Sequence, residues 1–473
     1  MKKLTKFILI LFSIFILNGC IQRRYNALEN NRNKDLQLKD LVKNTNEYDE
    51  NTQFFPDDVK QFHNYKDYFA WYDTLKSPPL LTLPAPEKPK KLTKEQMIED
   101  YEYFFKIIKE NYPFISIINR EYGYNFIDNH DKYLSMIKSC KNDEDFYSVI
   151  VNIVSDLKSQ HAIIADQDYL KVNLDHFSHY WQKRSMFLEF LYMNTQTVRN
   201  RYNLEGEQIA TSSSSSDNLR FMLTENAKSS TIKNLEIKEI SENILQLRIN
   251  EMLPDYKWDD DKQTLNKLLR ILPKYKALVI DIRGNGGGNI DYWQEFLLPR
   301  IISKSYSTKN YMFFKGGDRN KIILEDPEFE KKRVSDVDIN SMNLDYVKDL
   351  NDFEYFVENK IKVTPDNSIN YSGNIYLLVD DGVYSAAESL ASFCKNTKLA
   401  TLVGQTTGGD GVTIGVINDY LPNSGYVFSF TNALGYAQDG SLNEEEKTKP
   451  DIETANYNTS IEIIKKNEGE NDE

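Results

Sequence analysis

Cysteine is nearly absent from the sequence: 473 residues contain three. So few thiols supply no disulfide framework, and a chain this long can build a core without one. A surplus of positive charge is missing as well. The formal net charge is −13, with no dense Lys/Arg patch, so no nucleic-acid partner is expected. The apolar run Phe7 to Leu17 stops after about a dozen residues, short of the ~20 that a membrane-spanning helix needs. His176 and His179 lie one helical turn apart without an evident third ligand, so neither a metal site nor a cofactor is expected. What is there is a globular composition, 40% hydrophobic and 12% aromatic, with length for two or three domains.

The first residues read as a leader. Met1-Lys2-Lys3-Leu4-Thr5-Lys6 is a basic n-region, Phe7 to Leu17 has the length of a signal-peptide core, and Leu17-Asn18-Gly19-Cys20 resembles a bacterial lipobox. The expectation for this 1–20 lipoprotein signal segment is cleavage before Cys20 and lipidation at Cys20, hence an extracytoplasmic protein anchored to the membrane of a bacterial cell envelope. Two or more acyl chains make such an anchor stable. Residues 21–90 read as a tether, polar early and rich in proline from Pro78 to Pro89, with aromatics that suggest partial docking on the body. Residues 91–164 read as a helical domain. It opens on the capping box Thr93-x-x-Gln96 and carries Met97, Tyr101, Phe104, Phe105 and Ile108 at helical spacing. Residues 165–235 are expected to be an irregular connection, with Ser212 to Ser216 a low-complexity loop. The core spans 236–462, interrupted by a charged, helical insertion at about 300–370. Residues 463–473 are expected to be a frayed acidic tail.

Three loops of the core carry the chemistry. Ile375 to Val379 is a short apolar strand, and a helix opens after it at Ser385-Ala386-Ala387-Glu388. A serine at a helix start has unpaired backbone N–H groups and the positive end of the dipole beside its hydroxyl, where an oxyanion needs donors. Ser385-x-x-Glu388 also fits a capping box, which would only start the helix. Ala277 to Ile282 reads as a buried strand and ends in Arg283-Gly284-Asn285-Gly286-Gly287-Gly288-Asn289. Glycines there expose backbone N–H groups. Asn289 replaces the third glycine of a dinucleotide fingerprint, and no Gly-Lys-Ser/Thr ending follows, so the loop suits an oxyanion or a peptide-binding edge better than a phosphate. The third loop, Gly404 to Gly411, follows the strand Ala400 to Val403. His161 lies just past a helix end and enters an apolar strand, where a lone histidine is more often structural than catalytic.

In this order, Asp281–Gly288, Asp380–Ala391, Gly404–Gly411 and the Gly440–Asp451 ending resemble the tail-specific (C-terminal processing) protease family of serine peptidases. Residues 92–164 resemble that group's N-terminal domain, and the resemblance spans roughly two thirds of the chain. It implies an α/β fold, with a crotonase-like (ββα) peptidase core behind a small helical domain. It implies Ser385 as nucleophile, with the N–H groups of Ala386 and Gly287 as oxyanion hole. Ser/Lys members take their base from a lysine in the Gly404–Gly411 loop; this loop has no lysine, and Asp410 stands in its place. The chain is more similar to the tricorn-core/retinoid-binding-protein-like branch. That likeness implies His161 of Ser159-Gln160-His161 as base. It implies Glu444 as the acid that orients it, directly or through another group, with Glu445 and Glu446 as rivals; on this reading Asp410→Asn should do much less than His161→Ala. The only glycine of the interval 165–235 is Gly206, so no PDZ domain is expected. The implied activity is Ser/His acyl transfer on peptides or unfolded proteins. The alternative is an inactive member that binds peptide or an apolar ligand through the same cleft. An α/β-hydrolase is disfavoured, since Val383-Tyr384-Ser385-Ala386-Ala387 lacks the flanking glycines of a nucleophile elbow.

Overall fold

The structure is a computed structural model that describes residues 53–54, 57–58, 65–75, 80–81, 83–180, 182–204, 233–413 and 415–470. The leader with Cys20, the early tether and the Ser212–Ser216 loop lie outside the described residues. Strand β1 (Gln53–Phe54) pairs in parallel with β2 (Leu80–Leu81), and helix α1 (Tyr65–Tyr72) lies between them. Tyr68, Phe69 and Trp71 are buried in one cluster with Phe187, Leu188 and Leu191. Each such side chain contributes about 2 kcal/mol when withdrawn from water. This part of the expected tether is docked on the body.

Helix α2 (Lys94–Asn111) starts as its sequence requires: Thr93 Oγ1 accepts from Gln96 N, and the Gln96 side chain accepts from Thr93 N. Helices α3 (Ile115–Tyr122), α4 (His130–Ser139) and α5 (Asp143–Ser155) follow, the last capped by Asn142. Their apolar faces do not close on themselves. Phe104, Ile108, Phe146 and Ile150 share one core with Phe428 and Phe430, so the helical region packs directly on the C-terminal half. Strand β3 (Ile163–Ile164) then leads into α6 (Gln167–His179), α7 (Arg184–Met193) and α8 (Gln196–Tyr202). The described part of 165–235 is thus helical rather than irregular. Leu170, Leu174, Phe187, Leu191 and Val198 are its buried positions.

The central layer begins with β4 (Leu235–Glu239) and β5 (Ile244–Ile249), then α9 (Asp259–Ile271) and β6 (Ala277–Asp281). Residues 300–370 are not a helical insertion. They hold β7 (Tyr306–Phe314), α10 (Asp318–Leu324), β8 (Lys331–Arg333) and β9 (Tyr355–Val363), with β7 and β9 paired antiparallel over nine residues. Lys309, Glu358, Lys360 and Lys362 lie on these strands among buried Met312, Phe314, Val357 and Ile361. Charge count hid an alternating pattern. The chain continues through β10 (Asn374–Val379), α11 (Ser385–Thr397), β11 (Thr401–Gly404), β12 (Val416–Tyr420), β13 (Val427–Thr431) and β14 (Leu434–Tyr436). It ends in α12 (Asn443–Glu446), β15 (Ile452–Glu453) and α13 (Tyr457–Asn467).

The result is a mixed α/β fold with a helical N-terminal region and a central mixed sheet of order β15-β11-β10-β6-β5-β4, parallel except for the β4–β5 hairpin. Leu245, Leu247, Leu278, Ile280, Leu377 and Val379 point to one face, against α9 and α11. Ile244, Ala277, Val279, Tyr376 and Leu378 point to the other, which α13 covers with Tyr457, Ile461 and Ile464. The expected frayed tail is therefore corrected up to residue 470. Ile464 is fully buried, Glu468 accepts from Tyr376 Oη, and Glu470 accepts from Ser241 Oγ. Strands β6, β10 and β11 are parallel, so the three loops singled out in the sequence leave the same edge of one sheet, where α/β sheets place their sites. No helix among the described residues is long and apolar enough to cross a membrane.

Candidate active site

The turn after β10 is clamped between the other two loops. Asp380 Oδ1 accepts from Gly284 N at 2.7 Å and from Gly382 N at 3.1 Å. Tyr384 N donates to Asn285 O at 3.1 Å, Gly408 N to Val383 O at 2.7 Å, and Ser385 N to Gly409 O at 3.3 Å. Ser385 opens α11 with φ +55°. A side-chain-bearing residue in the left-handed region is strained by about 1–3 kcal/mol, and such strain gathers where function over-determines the backbone. Lys158 and Asp410 are strained likewise, so three of the ten positive-φ non-glycine residues described fall around this site. The capping-box alternative fails on geometry. No side chain caps α11, and Glu388 is buried, accepting from Asn443 Nδ2 at 2.8 Å and Thr448 Oγ1 at 2.6 Å.

Gly287 supplies the room for Ser385. A Cβ at Gly287 would stand 2.7 Å from Ser385 Cβ and 2.9 Å from Ala386 N, and its φ is +107°. Of the two expected oxyanion donors, Ala386 N–H has no partner among the described residues, as a first-turn donor should. Gly287 N–H is already used: it donates to Asn285 Oδ1 at 2.9 Å. Asn285 is fully buried and its Nδ2 donates to Ile249 O. In this conformation the Gly287 half of the expected hole is closed by an Asx turn within its own loop.

His161 lies in the link between α5 and β3. Its backbone is pinned by Ser159 Oγ, which accepts from His161 N at 3.2 Å, and by Ser429 Oγ, which donates to His161 O at 2.7 Å. The ring sits 4.8 Å from that of Tyr384, the residue before Ser385. His161 Nδ1 lies 2.8 Å from Asp410 Oδ2 and 3.1 Å from Thr431 Oγ1. An Nδ1–H donated to the carboxylate leaves Nε2, which has no partner among the described residues, as a proton acceptor. Asp410 Oδ2 also accepts from Thr431 Oγ1 and, at 3.2 Å, from Tyr384 Oη. Burial first, then the charge of Asp410, pushes the Tyr384 hydroxyl far up, so it remains a donor.

The carboxylate on the histidine is therefore Asp410, not Glu444. Glu444 sits in the first turn of α12 and makes no hydrogen bond to His161. Its Oε2 is shut off from solvent without a partner. Burial, and next the charge of Asp410, hold its carboxyl well above the usual range. Glu445 is engaged by Arg120 and Glu446 by Lys449, so neither rival reaches the base. Asp410 is visible in the sequence at the place of a lysine, but nothing there shows that it lies against His161; that pairing is what sequence reasoning misses. Thr431 carried no signal, being one polar residue at the end of an apolar strand. His176 and His179 form no metal cluster, and none is present among the described residues. His179 stacks on Tyr256 at 3.7 Å, and burial lowers His176 to about 4.

Residues 243–454 match the family model described as Peptidase family S41. Among solved structures, mature CPAF complexed with lactacystin is similar at 14% identity over 76% of this chain and 94% of that one, with a TM-score of 0.48. The photosystem II D1 C-terminal processing protease is 14% identical over 77% of this chain and 94% of that one, with a TM-score of 0.39. A lipoprotein from Streptococcus agalactiae is 12% identical over 76% of this chain and 92% of that one, with a TM-score of 0.40. No curated protein matches the chain.

Proposed function

We propose, from the match of residues 243–454 to the model of peptidase family S41, that the chain is a serine-type peptidase that cleaves peptides or unfolded proteins with Ser385 as nucleophile and His161 as base. Ser385 Oγ attacks the scissile carbonyl carbon while His161 Nε2 takes its proton. His161 returns that proton to the leaving amine as the C–N bond breaks, and water hydrolyses the acyl-enzyme by the same route. Asp410 keeps the Nδ1–H oriented and offsets the charge on the imidazolium. Ala386 N–H receives the oxyanion, and a second donor comes from the Gly286–Gly288 turn once substrate displaces Asn285 Oδ1 from Gly287 N–H.

The observation that carries this reading is the 2.8 Å contact of His161 Nδ1 with Asp410 Oδ2, with Nε2 left unpaired among the described residues and the ring 4.8 Å from that of Tyr384, the residue before Ser385. A serine-reactive fluorophosphonate probe, run beside hydrolysis of an unstructured peptide, tests it. Wild type should label and cleave, and Ser385→Ala and His161→Ala should do neither. One feature favours a second reading, an inactive member that binds peptide: the closed Gly287 N–H. That reading moves ahead if wild type neither labels nor cleaves across a broad peptide library. The Leu17–Cys20 segment further supports a lipid anchor at Cys20 and an extracytoplasmic location. Mass spectrometry of the mature N-terminus should find a diacylglyceryl group on Cys20; an unmodified cysteine would remove the anchor.

A further inference from the structure

Two shielded oxygens near His161, Asp410 Oδ1 and Glu444 Oε2, have no partner among the described residues. Asp410 spends its other oxygen on three donors, His161, Thr431 and Tyr384. The loop that carries Asp410 rests on α12. A Cβ at Gly409 would stand 3.3 Å from Glu444 Oε2, and Gly411 N donates to Asn443 Oδ1 at 2.8 Å. Among the charges around Glu444, that of Asp410 acts most strongly; Lys447 opposes it, while Glu121 and Glu388 add repulsion. The tyrosines that sense both acids, Tyr112 and Tyr384, are held neutral by burial, and Tyr112 Oη is spent on Leu157 O.

Two carboxyls that repel each other from adjoining segments of an enclosed site do not readily both ionise; such a pair tends to keep one proton. A carboxylic acid has an O–H to donate and a carboxylate has only acceptors. A single proton held between them would satisfy both lone oxygens. We propose that Glu444 works as a neutral positioning residue, donating its O–H to Asp410 Oδ1 and so fixing the carboxylate that fixes His161. The proposal rests on the reading of His161 as base and Asp410 as its partner. The resemblance implies Glu444 as the acid that orients the base, directly or through another group; the proposal makes Asp410 that group and Glu444 its neutral donor. When Glu444 ionises at alkaline pH, the donor disappears and a second anion faces Asp410, so kcat/KM should fall on the alkaline side.

Infrared difference spectroscopy at pH 7.5 reads the proton without reference to turnover. Wild type minus Glu444→Gln should show a carboxylic-acid C=O band. In Asp410→Asn, where the facing charge is gone, that band should titrate away at a lower pH. A pH–rate profile adds the functional arm. Glu444→Gln, whose amide still donates, should keep roughly tenfold more kcat/KM than Glu444→Ala and should lack the alkaline fall. A missing band, or equal losses in Glu444→Gln and Glu444→Ala, would overturn the proposal. Wild type that hydrolyses nothing but shows the band would instead fail the peptidase reading and leave the shared proton standing.

Discussion

Ser385 owes its pose to a strand, a turn and a helix that follow one another in the chain, with β10 ending at Val379 and α11 opening at Ser385. His161 owes its pose to groups 249 and 270 residues away, Asp410 and Thr431. The first half of the site is one continuous stretch held by the neighbouring loops of the same sheet edge, and the second is set by the packing of the N-terminal helices onto the C-terminal strands. Strain falls on both halves, at Ser385 and at Asp410. The difference teaches where each half is vulnerable. The proposed nucleophile depends on space at one glycine, and the proposed base depends on a carboxylate whose loop must be held from outside.

The largest expected effects are equal on the two sides. Ser385→Ala and His161→Ala should each lower kcat/KM by something on the order of 10⁶, because residues acting as a unit are not additive. The double variant should lose no more than either single. A second large additive drop would break the comparison at its root, since the two residues would then act separately. Next comes the carboxylate. Asp410→Asn should cost roughly 10³–10⁴ in kcat, since an amide stabilises the wrong imidazole tautomer and cannot offset the imidazolium. KM should change little. Near-normal turnover would return the orienting role to Glu444.

The asymmetry also explains what could be read without coordinates. The serine, the glycine-rich turn and the third loop are each continuous stretches, so they stand out in the sequence. The pairing of His161 with Asp410 is legible only once β3 is seen to join β13, in the register Phe428 opposite Ile164 and Ser429 opposite Ile163. The resemblance implies an acid that orients the histidine and points to Glu444 as that acid, whereas the fold puts Asp410 against the ring. The same limit applies to the fold. Helices α2 and α5 announce themselves by caps and spacing, whereas β7 and β9 were masked by their solvent-face lysines and glutamate. Helix α13 was lost among charges because its three apolar positions gain meaning only from the sheet face they cover.

Gly287→Ala sharpens the nucleophile side. The added Cβ has nowhere to go, since its nearest neighbours are Ser385 Cβ and the backbone of Tyr384 and Ala386. A positive φ of +107° adds strain. Loss of one properly placed oxyanion donor lowers kcat by about 10²–10³, and the variant should fall in that range with reduced stability. Denaturant midpoint and kcat measured on one preparation separate the two effects. A fall in stability with unchanged kcat would show that this turn supports the fold and not the reaction.

The smallest effect is expected at the joint between the halves. Glu388 rises from the nucleophile helix and is held by Asn443 Nδ2 and Thr448 Oγ1, from the segment that also carries Glu444. Burial pushes its carboxyl up to about 7, above the ~4.3 of an unfolded chain. Between those values the folded protein keeps a proton that the unfolded chain has released. The stability that Glu388 contributes is therefore complete below the unfolded value and is lost as pH rises through about 7. The span is worth on the order of 3 kcal/mol for a fully enclosed group. Glu388→Gln cannot titrate, and its amide oxygen can still accept from Asn443 and Thr448. Urea unfolding at several pH values should give a variant whose stability relative to wild type rises by roughly 1–3 kcal/mol from acid to alkaline pH, with peptide cleavage little changed. A constant difference across that range would mean that Glu388 is already ionised in the folded protein. A matching loss of cleavage would mean that the joint carries catalytic geometry from one half to the other.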